Sequence, residues 1–186
     1  LTVRRNTFRV IGGQWRGRRL SFPDQPGLRP TPDRVRETVF NWLMPVIEGS
    51  RCLDLYAGSG ALGLEALSRG ARTVTFVDES PDVMAQLKQN LQLLNVDTAR
   101  LVQMDVRNFL RQTADVVDIV FADAPYHRGL LSETFSLLNT NAWLASESWV
   151  YFEHGRDEDI PSLPDSWQLL KSKTAGQVAY HLARCG

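Results

Sequence analysis

With 186 residues and a mass of 21.0 kDa, the chain has the length of one domain plus a small appendage, enough to bury a substantial core. Its composition, 43% hydrophobic and 23% charged with no apolar run near the ~18 residues of a membrane span, excludes a membrane-spanning helix and a disordered chain. The 21 basic and 21 acidic residues cancel, which on the sum alone argues against a polyanionic partner; yet residues 1–40 hold nine arginines against three acids, and residues 41–186 hold twelve basic against eighteen acidic residues.

Two cysteines, Cys52 and Cys185, are too few for a disulfide framework or a zinc site, so no metal is expected and a reducing cytoplasm is the expected compartment. The chain opens at Leu1 without a basic, apolar, small-residue leader pattern, and a few residues are expected to precede it.

From Phe8 to Phe22, FRVIGGQWRGRRLSF predicts a β-hairpin in which apolar residues surround Gly12, Gly13 and Gly17 and the arginines face outward. A Pro/Gly loop follows. Thr31-Pro32-Asp33 predicts a helix start with Thr31 as N-cap, and Val35, Val39, Trp42, Leu43 and Val46 continue one apolar face to about Ile47. From Arg51 the pattern alternates: strand 51–56, helix 60–69, strand 72–78, helix 81–94, strand 99–104, short helix 106–112, strand 116–122, helix 129–138 and strand 147–153. Apolar strands alternating with helices imply a parallel sheet with right-handed crossovers. Trp167–Lys173 and Gln177–Leu182, around Thr174-Ala175-Gly176, predict a closing antiparallel hairpin and bring the sheet to seven strands. The expected organisation is an Arg-rich extension, residues 1–30, and an α/β domain, residues 31–186.

The loop after the first strand of this domain, Asp54-Leu55-Tyr56-Ala57-Gly58-Ser59-Gly60-Ala61-Leu62-Gly63, contains G-x-G-x-x-G between a strand and a helix, with Asp78 twenty residues beyond Gly58. By itself this fits a dinucleotide fingerprint. Asp54 changes the reading, because a carboxylate four residues before the first glycine repels a pyrophosphate and attracts a cationic amine or sulfonium. S-adenosylmethionine carries both cations and no phosphate. The backbone of Tyr56, Ala57, Gly58, Ser59 and Gly60 would then approach its methionine part, with Asp54 orienting the amino group. Asp78 would accept the ribose hydroxyls, and Asp105 and the Val106 N–H would hold the adenine. All three acids fall at carboxyl ends of strands, where open α/β sheets bind ligands, although Asp78 and Asp105 also suit helix capping.

Val117–Tyr126 places Asp123-Ala124-Pro125-Tyr126 after the fourth strand of the domain. This resembles the Asp/Asn/Ser-Pro-Pro-Tyr/Phe motif of amino-methyltransferases. An exocyclic amine is a poor nucleophile because its lone pair is delocalised into the ring. The resemblance implies that Asp123 and the Ala124 carbonyl accept the two amine hydrogens while Tyr126 stacks on the base, with Pro125 holding residue 124 extended. Where the family motif has a first proline, this chain has Ala124, which keeps the carbonyl and loses one lock on the loop.

IGGQWRGRRL, GLRPTPDRVRETVFNWL, LDLYAGSGALGLEALSRGA and the Asp-Ala-Pro-Tyr segment together resemble the bacterial ribosomal RNA small subunit methyltransferase D family over nearly the whole chain. The resemblance implies a Rossmann-like class I S-adenosylmethionine-dependent fold. It also implies transfer of methyl to the N2 amine of one guanine in 16S ribosomal RNA, with the small subunit or an assembly intermediate as partner. A monomer without membrane association is expected. Arg4, Arg5, Arg9, Arg16, Arg18, Arg19, Arg29, Arg34, Arg36 and Arg128 are the residues expected to meet RNA, since guanidinium groups bind phosphate bidentately and stack on bases. Three other readings stay open: an adenine-N6 methyltransferase on DNA or RNA, an RNA-binding assembly factor with weakened chemistry, and a nicotinamide oxidoreductase.

Overall fold

The computed structural model describes residues 6–186, so Arg4 and Arg5 lie outside the described residues. Strands β1 (Asn6–Arg9) and β2 (Arg19–Phe22) pair antiparallel, with a 3-10 turn at Gly13–Trp15 between them. Helix α1 (Asp33–Leu43) leads to β3 (Arg51–Leu55), α2 (Ala61–Ser68), β4 (Thr73–Asp78), α3 (Pro81–Leu93), β5 (Ala99–Gln103), α4 (Val106–Leu110), β6 (Val117–Ala122), α5 (Leu130–Thr140) and β7 (Leu144–Gly155). Strands β8 (Trp167–Ala175) and β9 (Val178–Cys185) close the chain.

The large sheet has the order β5-β4-β3-β6-β7-β9-β8, parallel from β5 to β7 and antiparallel beyond. The expected seven-stranded sheet and closing hairpin are therefore present. The order reverses between β3 and β6, and a crevice opens at their carboxyl ends. Period-2 alternation assigns the faces: Ile119 and Phe121 of β6 join the core under α1, α2 and α3, whereas Val120 and Ala122 join the core under α4 and α5. The edge strand β8 exposes Gln168 to Thr174, with a register shift between Leu169 and Lys171.

Every residue of α2 is buried. A helix buried on every side needs a second cover, and the hairpin supplies it through Phe8, Val10 and Leu20, which belong to the same core as the sheet. Gly12 and Gly13 permit the approach, since a Cβ on Gly13 would stand 1.9 Å from the Ser68 carbonyl oxygen. The Ser68 hydroxyl donates to the Gly12 carbonyl at 2.6 Å and accepts from the Trp15 N–H at 3.0 Å.

Three expectations need correction. First, α1 ends at Leu43 and gives way to turns before Ile47. Second, Thr31 does not cap it; Pro32 holds the cap position, and the Thr31 hydroxyl donates to Glu153 Oε1 at 3.1 Å instead. Third, Arg36 is not on an RNA-facing surface. Its side chain has no exposure and donates to the Thr31 and Arg9 carbonyls, both at 2.9 Å, to Asp33 at 2.6 Å and to Glu65 at 3.3 Å. The α1 helix turns this position inward beside Val35 and Val39, where a fully buried Glu65 needs a cation.

Candidate active site

β3 brings Asp54 to the carboxyl edge of the sheet, one residue before the strand ends at Leu55. Asp54 is buried, and its Oδ2 accepts the Gly63 N–H at 2.9 Å, tying β3 to α2. A Cβ on Gly63 would stand 2.7 Å from that oxygen and 2.3 Å from the Phe76 ring, so this third glycine serves helix-to-strand packing. Burial raises the Asp54 carboxyl well above the ordinary range, against the pull of the Gly63 N–H, and the charge of Asp78 adds to the rise.

The loop beyond turns through left-handed backbone at Tyr56 (φ 57°), Gly58 (φ 53°) and Gly60 (φ 74°). Tyr56 holds a conformation that costs a side chain free energy, and its hydroxyl donates to Thr134 Oγ1 at 2.8 Å, while that hydroxyl donates onward to the Leu130 carbonyl. The Ala57 N–H reaches the Val77 carbonyl at 3.0 Å, and Ser59 is buried with its hydroxyl accepting from the Ala61 N–H at 3.3 Å. Leu28, from the loop between β2 and α1, lies over Gly58, where a Cβ would come within 2.8 Å of it.

The other two strand-end acids are already engaged. Asp78 bridges two loops, accepting the Gly58 N–H on Oδ2 at 3.0 Å and the Ser80 N–H on Oδ1 at 2.9 Å. Asp105 caps α4 through the Arg107 and Asn108 N–H groups and pairs with the Arg107 guanidinium at 3.0 Å, which lowers its carboxyl below the usual range. An adenine amine there would share these oxygens. Val106, the first residue of α4, is buried beside it.

β6 places the second part of the site beside the first. Its register sets Asp54 opposite Phe121 and Leu55 opposite Ala122, so Asp123 emerges next to the start of the Gly-rich loop. Asp123 is half-buried, with its carboxyl raised by burial and by the neighbouring charges of Glu153 and Asp54. Ala124 is buried, Pro125 exposed and Tyr126 half-buried. A pocket beside the motif is lined by Ala124, Pro125, Tyr126, Leu130, Glu153 and Glu158, among others.

Glu153, near the end of β7, is the site residue that the sequence analysis missed. Its side chain is 2% exposed and accepts hydrogen bonds from the Thr31, Tyr126 and Tyr151 hydroxyls. Burial raises its carboxyl while those hydroxyls oppose the rise. An acid inside the apolar strand segment Trp149-Val150-Tyr151-Phe152-Glu153 was the available signal.

Arg9, Arg16, Arg18, Arg19, Arg29, Arg34 and Arg128 are exposed. The first six lie on the hairpin, the loop after it and the start of α1, and Thr31 connects that segment to Glu153 beside the motif. Arg9 is also paired with Asp33 at 3.2 Å. Among the described residues there is no His, Cys, Asp or Glu group suited to a metal ion.

An open sheet that reverses between β3 and β6, with a Gly-rich loop and acids at its carboxyl edge, is the fold of S-adenosylmethionine-dependent methyltransferases. A solved structure from Escherichia coli, described as a candidate methyltransferase, superposes with a TM-score of 0.90 at 48% identity, covering 97% of this chain and 98% of that one. A family model described as "Conserved hypothetical protein 95" matches residues 8–184. Ribosomal RNA small subunit methyltransferase D of Escherichia coli (strain K12) is 53% identical over 175 residues, spanning 94% of this chain and 88% of that protein. The protein of the same name from Haemophilus influenzae is 47% identical over 178 residues, spanning 94% and 92%. The chain belongs to the ribosomal RNA small subunit methyltransferase D family.

Proposed function

We propose that the protein transfers a methyl group from S-adenosylmethionine to the exocyclic N2 amine of one guanine in 16S ribosomal RNA, acting as a cytoplasmic monomer on the small subunit or an assembly intermediate. The observation that carries this is the placement of Asp123-Ala124-Pro125-Tyr126 beside the Gly-rich loop, across the point where strand order reverses. The residues suit the cofactor. Asp54 and Asp123 are carboxyls at the ends of adjacent strands that burial has raised and whose charged form a cation would favour, and Gly58 and Gly60 give the loop between β3 and α2 its left-handed turns.

When bound, the cofactor supplies a methyl group activated on a sulfonium. Asp54, Asp78 and the backbone of residues 56–60 would hold its amine and ribose, and Asp105 and Val106 would hold its adenine. Asp123 and the Ala124 carbonyl accept the two amine hydrogens of guanine and turn the nitrogen lone pair out of the ring toward the methyl carbon. The Tyr126 ring stacks on the base in the adjoining pocket. With the cofactor bound, the amine nitrogen would take the methyl group as the carbon–sulfur bond breaks, and its proton would pass to water, so no general base would be required. Residues 1–30 form the RNA-binding extension, with Arg34 and Arg128 extending its surface toward the motif; the guanidinium groups contact phosphate and do not read sequence.

Labelled cofactor, the protein and small subunits from a strain lacking this methyltransferase should yield label in N2-methylguanosine by nucleoside mass spectrometry. Label only in adenine, or in no nucleoside, overturns the assignment.

The carboxyls also set a pH dependence. Asp54, Asp123 and Glu153 are all raised, so the folded state holds their protons more tightly than the unfolded chain. Their contribution to stability is complete below the unfolded carboxylate range and is lost as pH rises through the folded values. A cation bound beside Asp54 would offset that carboxyl's share of the loss. The rise in melting temperature given by a fixed excess of cofactor should therefore grow from mildly acid to mildly alkaline pH, and scanning calorimetry showing a flat or falling shift would separate the cofactor from these carboxyls.

A further inference from the structure

We propose that Glu153 is a positioning residue for methyl transfer: its buried carboxylate tethers the Tyr126 hydroxyl and the Thr31 segment together, fixing the aromatic platform relative to the RNA-binding extension. This rests on the stacking role proposed above for Tyr126.

Three hydroxyl donors from three places converge on one carboxylate. Oε2 accepts from Tyr126 at 3.1 Å, and Oε1 accepts from Thr31 at 3.1 Å and from Tyr151 at 2.6 Å. Thr31 lies 122 residues away in sequence, at the junction between the arginine-bearing loop and α1. No cation is among these partners, so the acid is held in a buried place by hydroxyls alone. A carboxylate is costly there, and a packing role would be better served by an apolar side chain. A carboxylate has the specific property that both oxygens only accept, so all three hydroxyls must point inward. The Tyr126 phenol is itself raised by burial and by Glu153, which keeps its proton available for donation.

The tether has a kinetic meaning. An aromatic ring anchored at its para oxygen cannot swing about its χ angles, and the base stacked on it inherits that orientation. Release of the ring leaves the base bound and misdirects its amine, a loss that belongs to the chemical step and not to affinity.

The test is a double-mutant cycle on the full chain with small subunits as substrate. E153Q keeps the volume but replaces one acceptor oxygen with an NH2 group, and Y126F keeps the ring and removes only the tethered hydroxyl. Each is expected to lower kcat by about 10- to 100-fold, while KM for subunits and the Kd for S-adenosylhomocysteine stay within about threefold. The double variant should be no slower than the worse single one, because both remove the same tether. Y126F keeps the assay informative should E153Q fold poorly. Multiplicative losses, kcat within about twofold of wild type in Y126F, or a cofactor affinity that falls in step with kcat would each overturn the proposal. The two claims separate on the wild-type control. Wild type that labels adenine overturns the guanine assignment and leaves the cycle readable on adenine, whereas an inert wild type overturns both.

Discussion

Asp123→Ala is expected to lower kcat for methyl transfer by at least about 100-fold without lowering the melting temperature. In the proposed mechanism the carboxyl is the side-chain acceptor for the amine, and no other acid stands at the end of β6. It is also expensive to keep, since burial and the charges of Glu153 and Asp54 all raise it. Removing it therefore takes away activity and a source of repulsion together. Asp123→Asn separates the two contributions, because the amide retains one carbonyl acceptor in nearly the same volume. Its loss should be clearly smaller than that of the alanine variant. Kinetics on small subunits and scanning calorimetry check both statements; an active Asp123→Ala enzyme, or one that melts many degrees lower, would make Asp123 a structural residue.

Arg36→Met is expected to cost about 3–5 kcal/mol of stability, a large share of the ~5–15 kcal/mol that holds a typical domain together. The fully buried Glu65 accepts the Ile11 N–H at 2.9 Å, the Gly12 N–H at 2.8 Å, Arg69 at 2.8 Å and Arg36 at 3.3 Å. Arg36 in turn binds carbonyls on both sides of the hairpin and α1 junction. Its loss leaves those acceptors and half of the Glu65 charge without a partner. Replacing Glu65 as well would leave the Ile11 and Gly12 N–H groups and Arg69 without their acceptor, so the double variant should recover none of the loss. Urea denaturation of the single and double variants measures this directly, and a single-variant loss below about 1 kcal/mol would mean that Arg69 alone neutralises Glu65.

The parts of the site legible in the sequence are those carried by local chemistry. Apolar runs alternating with helical segments located the strands, and Asp54, Asp78 and Asp123 stood out as acids ending apolar strands. What was not legible needs tertiary contact. The Thr31-Pro32-Asp33 pattern is a sound helix start, yet a buried acceptor on β7 draws the Thr31 hydroxyl away from the helix N-terminus. Arg36 has the composition of a surface residue, and only the packing of α1 against α2 shows that Glu65 requires it inside. Glu153 was hidden for the same reason, because its partners at positions 31 and 126 come from distant loops. Asp105 illustrates an ambiguity that sequence holds open: one acid can serve a helix cap and border a ligand site.

The far side of the sheet is under a different constraint. An edge strand offers unpaired N–H and C=O groups to any extended chain that drifts past, and β8 is such an edge, with Leu169 and Leu170 each 38% exposed. The chain has only three lysines, and two of them, Lys171 and Lys173, stand on this exposed stretch next to the break in register. Another strand aligning there would have to desolvate two ammonium groups and follow a kinked backbone. Two of the chain's three lysines thus stand where charge disfavours pairing of a further strand with this edge.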